Sequence, residues 1–256
     1  MSTDPGHSAR RLAIVTGGTS GIGQAITLVL VRRGFDVVAI GNDRDQALQT
    51  ERLLAGERLS SCMLLGDVSN AQNVSGLIGE VLKRYGRIDV LCNNAAIRPV
   101  GTILETDEES WDRTFAINVK GAYLFSRGVL PTMIAQRSGV IINTTSPSGY
   151  GGRKHIAYAA SKGAMFAFTK SLAIDHIQDG IRVNAIVPGF TLTGMTKNFA
   201  ESRKAASVGM NVAGRMRLPE DIASTVAFLV SDEAATITGA TWEIGAIEGQ
   251  MVLGTD

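Results

Sequence analysis

Tyr158 and Lys162 stand four residues apart in a segment with helical periodicity, which places both side chains on one helix face. Such a pair can move a proton. An ordinary tyrosine, with a pKa of about 10, is a poor base at neutral pH, but neighbouring positive charge favours its phenolate. Tyr-x-x-x-Lys also occurs by chance on solvated helix surfaces. Here the flanking run Ala157-Tyr158-Ala159-Ala160-Ser161-Lys162-Gly163-Ala164 is made of small residues suited to close packing. Ser146 follows an apolar run, and its hydroxyl could hydrogen-bond an oxygen on which charge changes during a reaction. A simple turn serine in Ser146-Pro147-Ser148-Gly149 is the alternative.

A second chemical feature lies near the N-terminus, in Thr16-Gly17-Gly18-Thr19-Ser20-Gly21-Ile22-Gly23. Glycines between a strand and a helix permit a tight turn and let a diphosphate approach backbone N–H groups. The helix N-terminus behind them adds a favourable dipole. The spacing is G-x3-G-x-G, not the common dinucleotide pattern G-x-G-x-x-G, and a glycine turn with no ligand is the competing reading.

The elements that must position these groups alternate. Apolar runs at 11–17, 35–40, 61–65, 88–93, 139–145, 181–187 and 241–244 read as strands. Helical patterns fall at 22–33, 45–55, 70–85, 108–136, 157–178 and 219–231. Continuously apolar strands separated by helices predict a doubly wound parallel α/β sheet covered on both faces. No repeat or linker interrupts it, so one domain is expected over 11–256, preceded by a flexible tail over 1–10. Residues 189–218 have weak periodicity, and a long irregular connection of this kind predicts a substrate lid.

Composition narrows the function. The 256 residues are 45% hydrophobic and 19% charged, ordinary for a globular chain. Twenty-five basic against 24 acidic residues supply no general attraction for nucleic acid or an anionic membrane, and neither partner is expected. Cys62 and Cys92 each sit in a strand-like run and read as buried free thiols. His7, His155 and His176 are scattered, so no metal site is expected. The first ten residues lack the apolar stretch of a signal peptide, and no run reaches membrane-spanning length; a cytoplasmic protein is the expectation.

The glycine loop, Asn93-Asn94-Ala95-Ala96, Asn118-Val119-Lys120-Gly121, Ser146 with Gly149, Tyr158-Ala-Ala-Ser-Lys162 and Pro188-Gly189 occur in the order found in the short-chain dehydrogenase/reductase family. The chain resembles the single-domain, shorter-chain branch of that family from about residue 10 to 244. The resemblance implies a Rossmann-like fold and hydride transfer between NAD or NADP and a secondary alcohol or carbonyl. It implies Tyr158 as general acid/base, Lys162 as the group that binds the nicotinamide ribose and lowers the tyrosine pKa, and Ser146 as the substrate-positioning hydroxyl. Asn118 would hold a water in a proton relay to Lys162. Gly17, Gly21 and Gly23 would contact the cofactor phosphates, Asp67 the adenine, Asn93 the adenosine ribose, and Thr193 the carboxamide or diphosphate. Thr19, Ser20, Ile22, Val68, Asn94, Ala95, Pro188, Gly189 and Thr191 complete the implied cofactor contacts. A homotetramer is also implied, with Ala164, Phe166, Ala167 and Phe168 offering a face for burial between subunits.

Three departures from the family pattern stand out. Ala96 replaces a glycine. The Ser146–Tyr158 interval is one residue short, which gives Thr145 the usual spacing but Ser146 the usual context; Ser146 is chosen. Glu243-Ile-Gly245-Ala-Ile replaces the common Asp-Gly-Gly. A dinucleotide-binding regulator without turnover has no physical need for Asn118, Ser146, Tyr158 and Lys162 together. Epimerases and dehydratases on related folds are usually longer. At the end of the second strand, Gly41-Asn42-Asp43-Arg44 lets Asp43 serve NAD or Arg44 clamp the NADP phosphate, and the reading adopted is NAD. For the substrate, the polar segment Pro147–Ala157 carries Arg153, whose fork suits a carboxylate, and His155, with Arg98 as a second positive group. These residues predict a small polar substrate such as a sugar, polyol or hydroxy acid; a 3-oxoacyl-thioester (acyl-carrier-protein) reductase is the alternative.

Overall fold

The computed structural model describes residues 10–56, 61–198 and 211–245. Of the expected tail only Arg10 falls among them, and 199–210 of the expected lid lie outside them. The strands are β1 (Leu12–Thr16), β2 (Asp36–Gly41), β3 (Ser61–Leu65), β4 (Val90–Asn93), β5 (Gly139–Thr144), β6 (Ile181–Pro188) and β7 (Thr241–Ile244). All seven pair in parallel, in the order β3-β2-β1-β4-β5-β6-β7. Every residue of β1, β2, β4 and β5 is buried, which is why these strands read as unbroken apolar runs rather than alternating ones.

Helices cover both faces. On one, Ile26 and Leu30 of α1 (Gly21–Arg32) and Ile222 and Val226 of α7 (Pro219–Leu229) pack on Ala13, Val15 and Val37. On the other, Val74, Ile78 and Val81 of α3 (Ala71–Tyr85) meet Phe125, Val129 and Met133 of α5 (Gly121–Gln136) over Ile14, Val38 and Leu91. Burial of each such side chain contributes about 1.5–3 kcal/mol. Helix starts are fixed locally: Asp43 caps α2 (Arg44–Leu54), Asn70 caps α3 and Asp107 caps α4 (Glu108–Phe115), each accepting backbone N–H bonds.

The helix expected over 108–136 is not continuous. Between α4 and α5 a π-helical turn spans Ala116–Lys120, and the one-residue change in winding is invisible to a 3.6-residue pattern. Gly121 follows it where a Cβ would come within 3.1 Å of Val68, so the helix approaches the loop after β3 closely. The turn points Asn118 inward, buried at the join.

The chain runs outward from β1 to the β3 edge and returns to place β4 on the other side of β1. That reversal opens a crevice at the C-terminal ends of β1 and β4, the usual ligand position in open α/β sheets. A buried polar chain ties the flanking helices to the sheet there. Asn93 Nδ2 donates to Ser126 Oγ of α5 (3.2 Å) and to Asn143 Oδ1 of β5 (2.9 Å). Asn143 Nδ2 donates to Thr169 Oγ1 (2.9 Å) on α6 (Ile156–His176), the helix that carries Tyr158 and Lys162.

Asn143→Ala leaves Asn93 and Thr169 each short of a buried partner, at a cost of about 1–3 kcal/mol per group. Thermal unfolding followed by calorimetry should show Tm lower by about 5–10 °C. An unchanged Tm would show that the chain of amides is dispensable.

Candidate active site

A cleft of about 760 Å³ lies at the C-terminal ends of β1, β4, β5 and β6. Gly17, Ser20, Gly21 and Ile22 form one wall, Asn94 and Ala95 a second, and Pro188, Gly189, Thr191 and Thr193 a third. Ser146, His155, Tyr158 and Lys162 close the inner end, and the exposed Arg153 lines the cleft from the rim. These sequence-chosen residues of the wall converge from five segments of the chain.

The glycine loop fits a dinucleotide diphosphate. Gly17 (φ +63°) and Gly21 (φ +52°) hold left-handed backbone that a side chain would strain, and both face the cleft. Ser20 is the N-cap of α1, exposed and making no side-chain cap bond. Gly23 does not reach the cleft; a Cβ there would collide with the Gly17 carbonyl, so its role is to let α1 meet the loop. Thr19 is buried beneath Gly41, where any Cβ would meet its hydroxyl.

Tyr158 is 7% exposed and its hydroxyl is hydrogen-bonded to Ser146. Burial raises its pKa, while the Ser146 bond and the charge of Arg98 act to lower it. Lys162 Nζ lies 5.8 Å from the Tyr158 ring centroid and donates to the Thr144 carbonyl at 2.7 Å. Burial pulls its ammonium down to about 8. Ser146 sits at the N-cap of the 3₁₀ turn Pro147–Tyr150 and accepts from Ser148 N at 3.2 Å. Thr145, the competitor by spacing, is committed elsewhere: its hydroxyl donates to the Ile186 carbonyl at 2.8 Å. The structure thus places Ser146, not Thr145, against the tyrosine.

Asn118 does not enter the cleft. Its Oδ1 accepts from Ile97 N (2.8 Å), and its Nδ2 donates to Ile97 O (3.0 Å) and to Ser161 Oγ (3.0 Å). The amide therefore locks the loop after β4 to α6 and has no remaining donor for a water. A separate cavity of about 10 Å³, large enough for one water, lies between Asn118, Lys162, Asn93 and Thr144. Asn93 Oδ1 and Thr144 Oγ1, both buried, have no protein partner.

Other expected contacts fall away from the cleft wall. Asn93 is turned into the sheet by its bonds to Ser126 and Asn143, and Val68 lines the small cavity. Asp67 is exposed at the end of β3, where the Ser69 hydroxyl and amide, with Arg113 3.4 Å away, hold its carboxyl below the usual range. Asn42, Asp43 and Arg44 are exposed past β2; Asp43 Oδ1 accepts from Asp45 N and Gln46 N at 2.9 and 3.1 Å. His155 Nδ1 lies 3.3 Å from the Pro99 carbonyl, and its ring meets Tyr158 edge-on at 6.4 Å.

Sequence reasoning missed several parts of the wall. Gln46 lies on α2, Phe190 and Met195 in the weakly patterned segment, and the Thr144 carbonyl that holds Lys162 is backbone. Arg217 is buried and donates to the Phe190 carbonyl (3.1 Å), bracing the segment after β6. A Cβ on Gly245 (φ +62°) would collide with its guanidinium, so this position requires glycine. Among the described residues no group of three or more His, Cys, Asp or Glu could hold a metal ion, and no helix is long and apolar enough to cross a membrane.

Comparison with known proteins agrees with this geometry. A 3-oxoacyl-[acyl-carrier-protein] reductase of Thermotoga maritima is 34% identical over 246 residues, covering 95% of this chain and 98% of the relative. The Staphylococcus epidermidis protein of the same name is 36% identical over 231 residues, 90% and 95% of the two chains. An uncharacterized oxidoreductase of Thermotoga maritima is 33% identical over 237 residues, 90% and 94%. Residues 11–204 match the family described as short chain dehydrogenase. The chain belongs to the short-chain dehydrogenase/reductase family, and is an NAD(P)-dependent oxidoreductase acting on CH–OH or C=O groups.

Proposed function

We propose that the protein reduces the 3-oxo group of an acyl thioester to the 3-hydroxy compound. The observation that carries this reading is the buried Tyr158 hydroxyl beside Ser146, in a cleft whose charged wall residues among those described are Arg98, Arg153 and Lys162, all cationic. The names of the relatives favour the acyl-thioester alternative over a sugar or polyol.

When bound, the nicotinamide supplies the hydride. Gly17, Gly21 and the N-terminus of α1 would hold its diphosphate, with Pro188, Gly189, Thr191 and Thr193 along the opposite wall. Ser146 and Tyr158 together fix the substrate carbonyl oxygen, and Tyr158 gives it a proton as negative charge develops. Burial keeps the phenol protonated at neutral pH, which suits a proton donor. Lys162 holds positive charge beside the ring. The cavity behind it, walled by Asn118, supports a single relay water for which the unpartnered Asn93 Oδ1 and Thr144 Oγ1 are partners, rather than the Asn118 amide.

For the cofactor we propose NADP in place of NAD, and three features of the β2 end support that reading. Asp43 spends one oxygen capping α2, Gly41 has no room for an acidic side chain, and Arg44 is exposed beside them. We also propose a homo-oligomer in which α6 contributes to the interface; Ala167, Ile174 and Ile177 are exposed along and just past it.

Tyr158→Phe should lower kcat for reduction of an acetoacetyl thioester by about 100-fold or more and change cofactor affinity by no more than a few-fold. Because reduction needs the proton on Tyr158, its rate is retained below the Tyr158 pKa and lost above it, and oxidation shows the reverse. Activity near wild type in Tyr158→Phe would remove the residue from the mechanism. Arg44→Ala should weaken NADPH binding about tenfold or more, as loss of one charge-assisted phosphate contact implies, and leave NADH binding unchanged. Equal losses for the two cofactors would refute the NADP assignment.

A further inference from the structure

We propose that Arg98 is the specificity-determining residue of the substrate site: it grips the carboxyl-level oxygen of a 3-oxo substrate, whether thioester or free carboxylate, beside the carbonyl that Tyr158 protonates. The inference rests on the carbonyl-reduction reading and names the group that would select among carbonyls.

Three cations line the cleft, and they are not equivalent. Lys162 is fixed behind the tyrosine by the Thr144 carbonyl at 2.7 Å. Arg153 is exposed at the rim. Arg98 is half-buried in the loop after β4 and lines the same cleft as Ser146 and Tyr158. Its charge acts on the Tyr158 hydroxyl, so it lies within electrostatic reach of the reacting oxygen. The other charged or titratable groups lining the cleft are Lys162 on the same helix, His155 before it and Arg153 at the rim, with no carboxylate among the described wall residues to compensate them.

Position gives Arg98 a second property. Its Nη2 donates to the Met195 carbonyl at 3.4 Å, joining the β4 loop to the segment after β6 across the cleft mouth. That contact is long for a hydrogen bond, so a charged or strongly polar oxygen entering the cleft outcompetes it. A 3-oxo acid derivative presents such an oxygen two carbons from the reacting carbonyl, whereas a plain ketone presents none. The planar guanidinium can hold that oxygen with one N–H and keep another directed at the mouth.

The test compares kcat/KM for reduction of three probes: the acetoacetyl thioester of N-acetylcysteamine, acetoacetate and 2-pentanone. Each is run with the wild type, Arg98→Lys and Arg98→Met in the presence of saturating cofactor. Arg98→Met should lower kcat/KM for the oxoacyl probes by about 10- to 100-fold, the loss of one charge-assisted hydrogen bond. KM should carry most of the loss, 2-pentanone should change little, and Arg98→Lys should recover part of it. The thioester and acetoacetate arms report which carboxyl-level oxygen is preferred. Phenolate absorbance, titrated as the difference between each protein and its Tyr158→Phe counterpart, should move to higher pH in Arg98→Met. Equal losses on all three probes, no loss, or an unmoved Tyr158 titration overturns the proposal. A wild type that ignores the thioester but reduces acetoacetate far better than 2-pentanone refutes the acyl-thioester reading and leaves Arg98 supported.

Discussion

One buried ammonium organises the cleft. Lys162 is 3% exposed beside the Tyr158 ring, and what holds it there is a single backbone carbonyl, Thr144 O, at 2.7 Å. That carbonyl is available because β5 ends at Thr144, one residue before Thr145 turns its hydroxyl back to β6. Placing a lysine so deep costs folding free energy, since burial favours its neutral form. The surrounding polar chain from Ser126 through Asn93 and Asn143 to Thr169 fixes α5 and α6 on the sheet, so the cost is met by a rigid frame.

Around this cation the wall is assembled from the ends of parallel strands, and a parallel sheet with a strand-order reversal makes such an assembly natural. The loop after β1 brings left-handed glycines, the loop after β4 brings Asn94 and Arg98, and the segment after β6 brings Gly189 to Met195. Gly101 N donates to Lys154 O (2.7 Å), and Ile156 N to Gly101 O (3.3 Å), so the chain two residues before Tyr158 is stitched to the β4 loop. Arg217 against Gly245 braces the last of these segments from behind.

Much of this was legible in the sequence, and for a physical reason. Strands buried on both faces leave continuous apolar runs, and glycines required by positive φ at 17 and 21 leave a fixed spacing. Tyr158 and Lys162 were legible because α-helical winding between them is regular. Asn118 was legible as a residue but not in its action, because the π turn that points it inward alters no periodicity and its amide bonds go to backbone atoms of Ile97. The resemblance implies Asn93, and the place at the end of β2 suggests Asp43, as cofactor contacts. Their side chains are taken by Asn143 and by the cap of α2, bonds that depend on tertiary neighbours or on local capping. The choice of Ser146 over Thr145 needed the β5–β6 pairing, which sets where Thr145 points.

Lys162 is a cation held in the fold at a cost. Its pKa of about 8 in the fold lies below the ordinary 10.5 of an unfolded lysine. Between those values the unfolded chain binds more protons, so the fold gains stability as pH rises through that window. Chemical denaturation of wild type and Lys162→Met across this range isolates the effect, because losing the Thr144 bond shifts the variant by an amount independent of pH. The stability of the wild type relative to Lys162→Met should rise by about 3 kcal/mol from neutral pH to above 10.5, at about 1.4 kcal/mol per unit of pKa. A difference that stays flat with pH, or falls as pH rises, would contradict the buried, strained ammonium on which this description of the site depends.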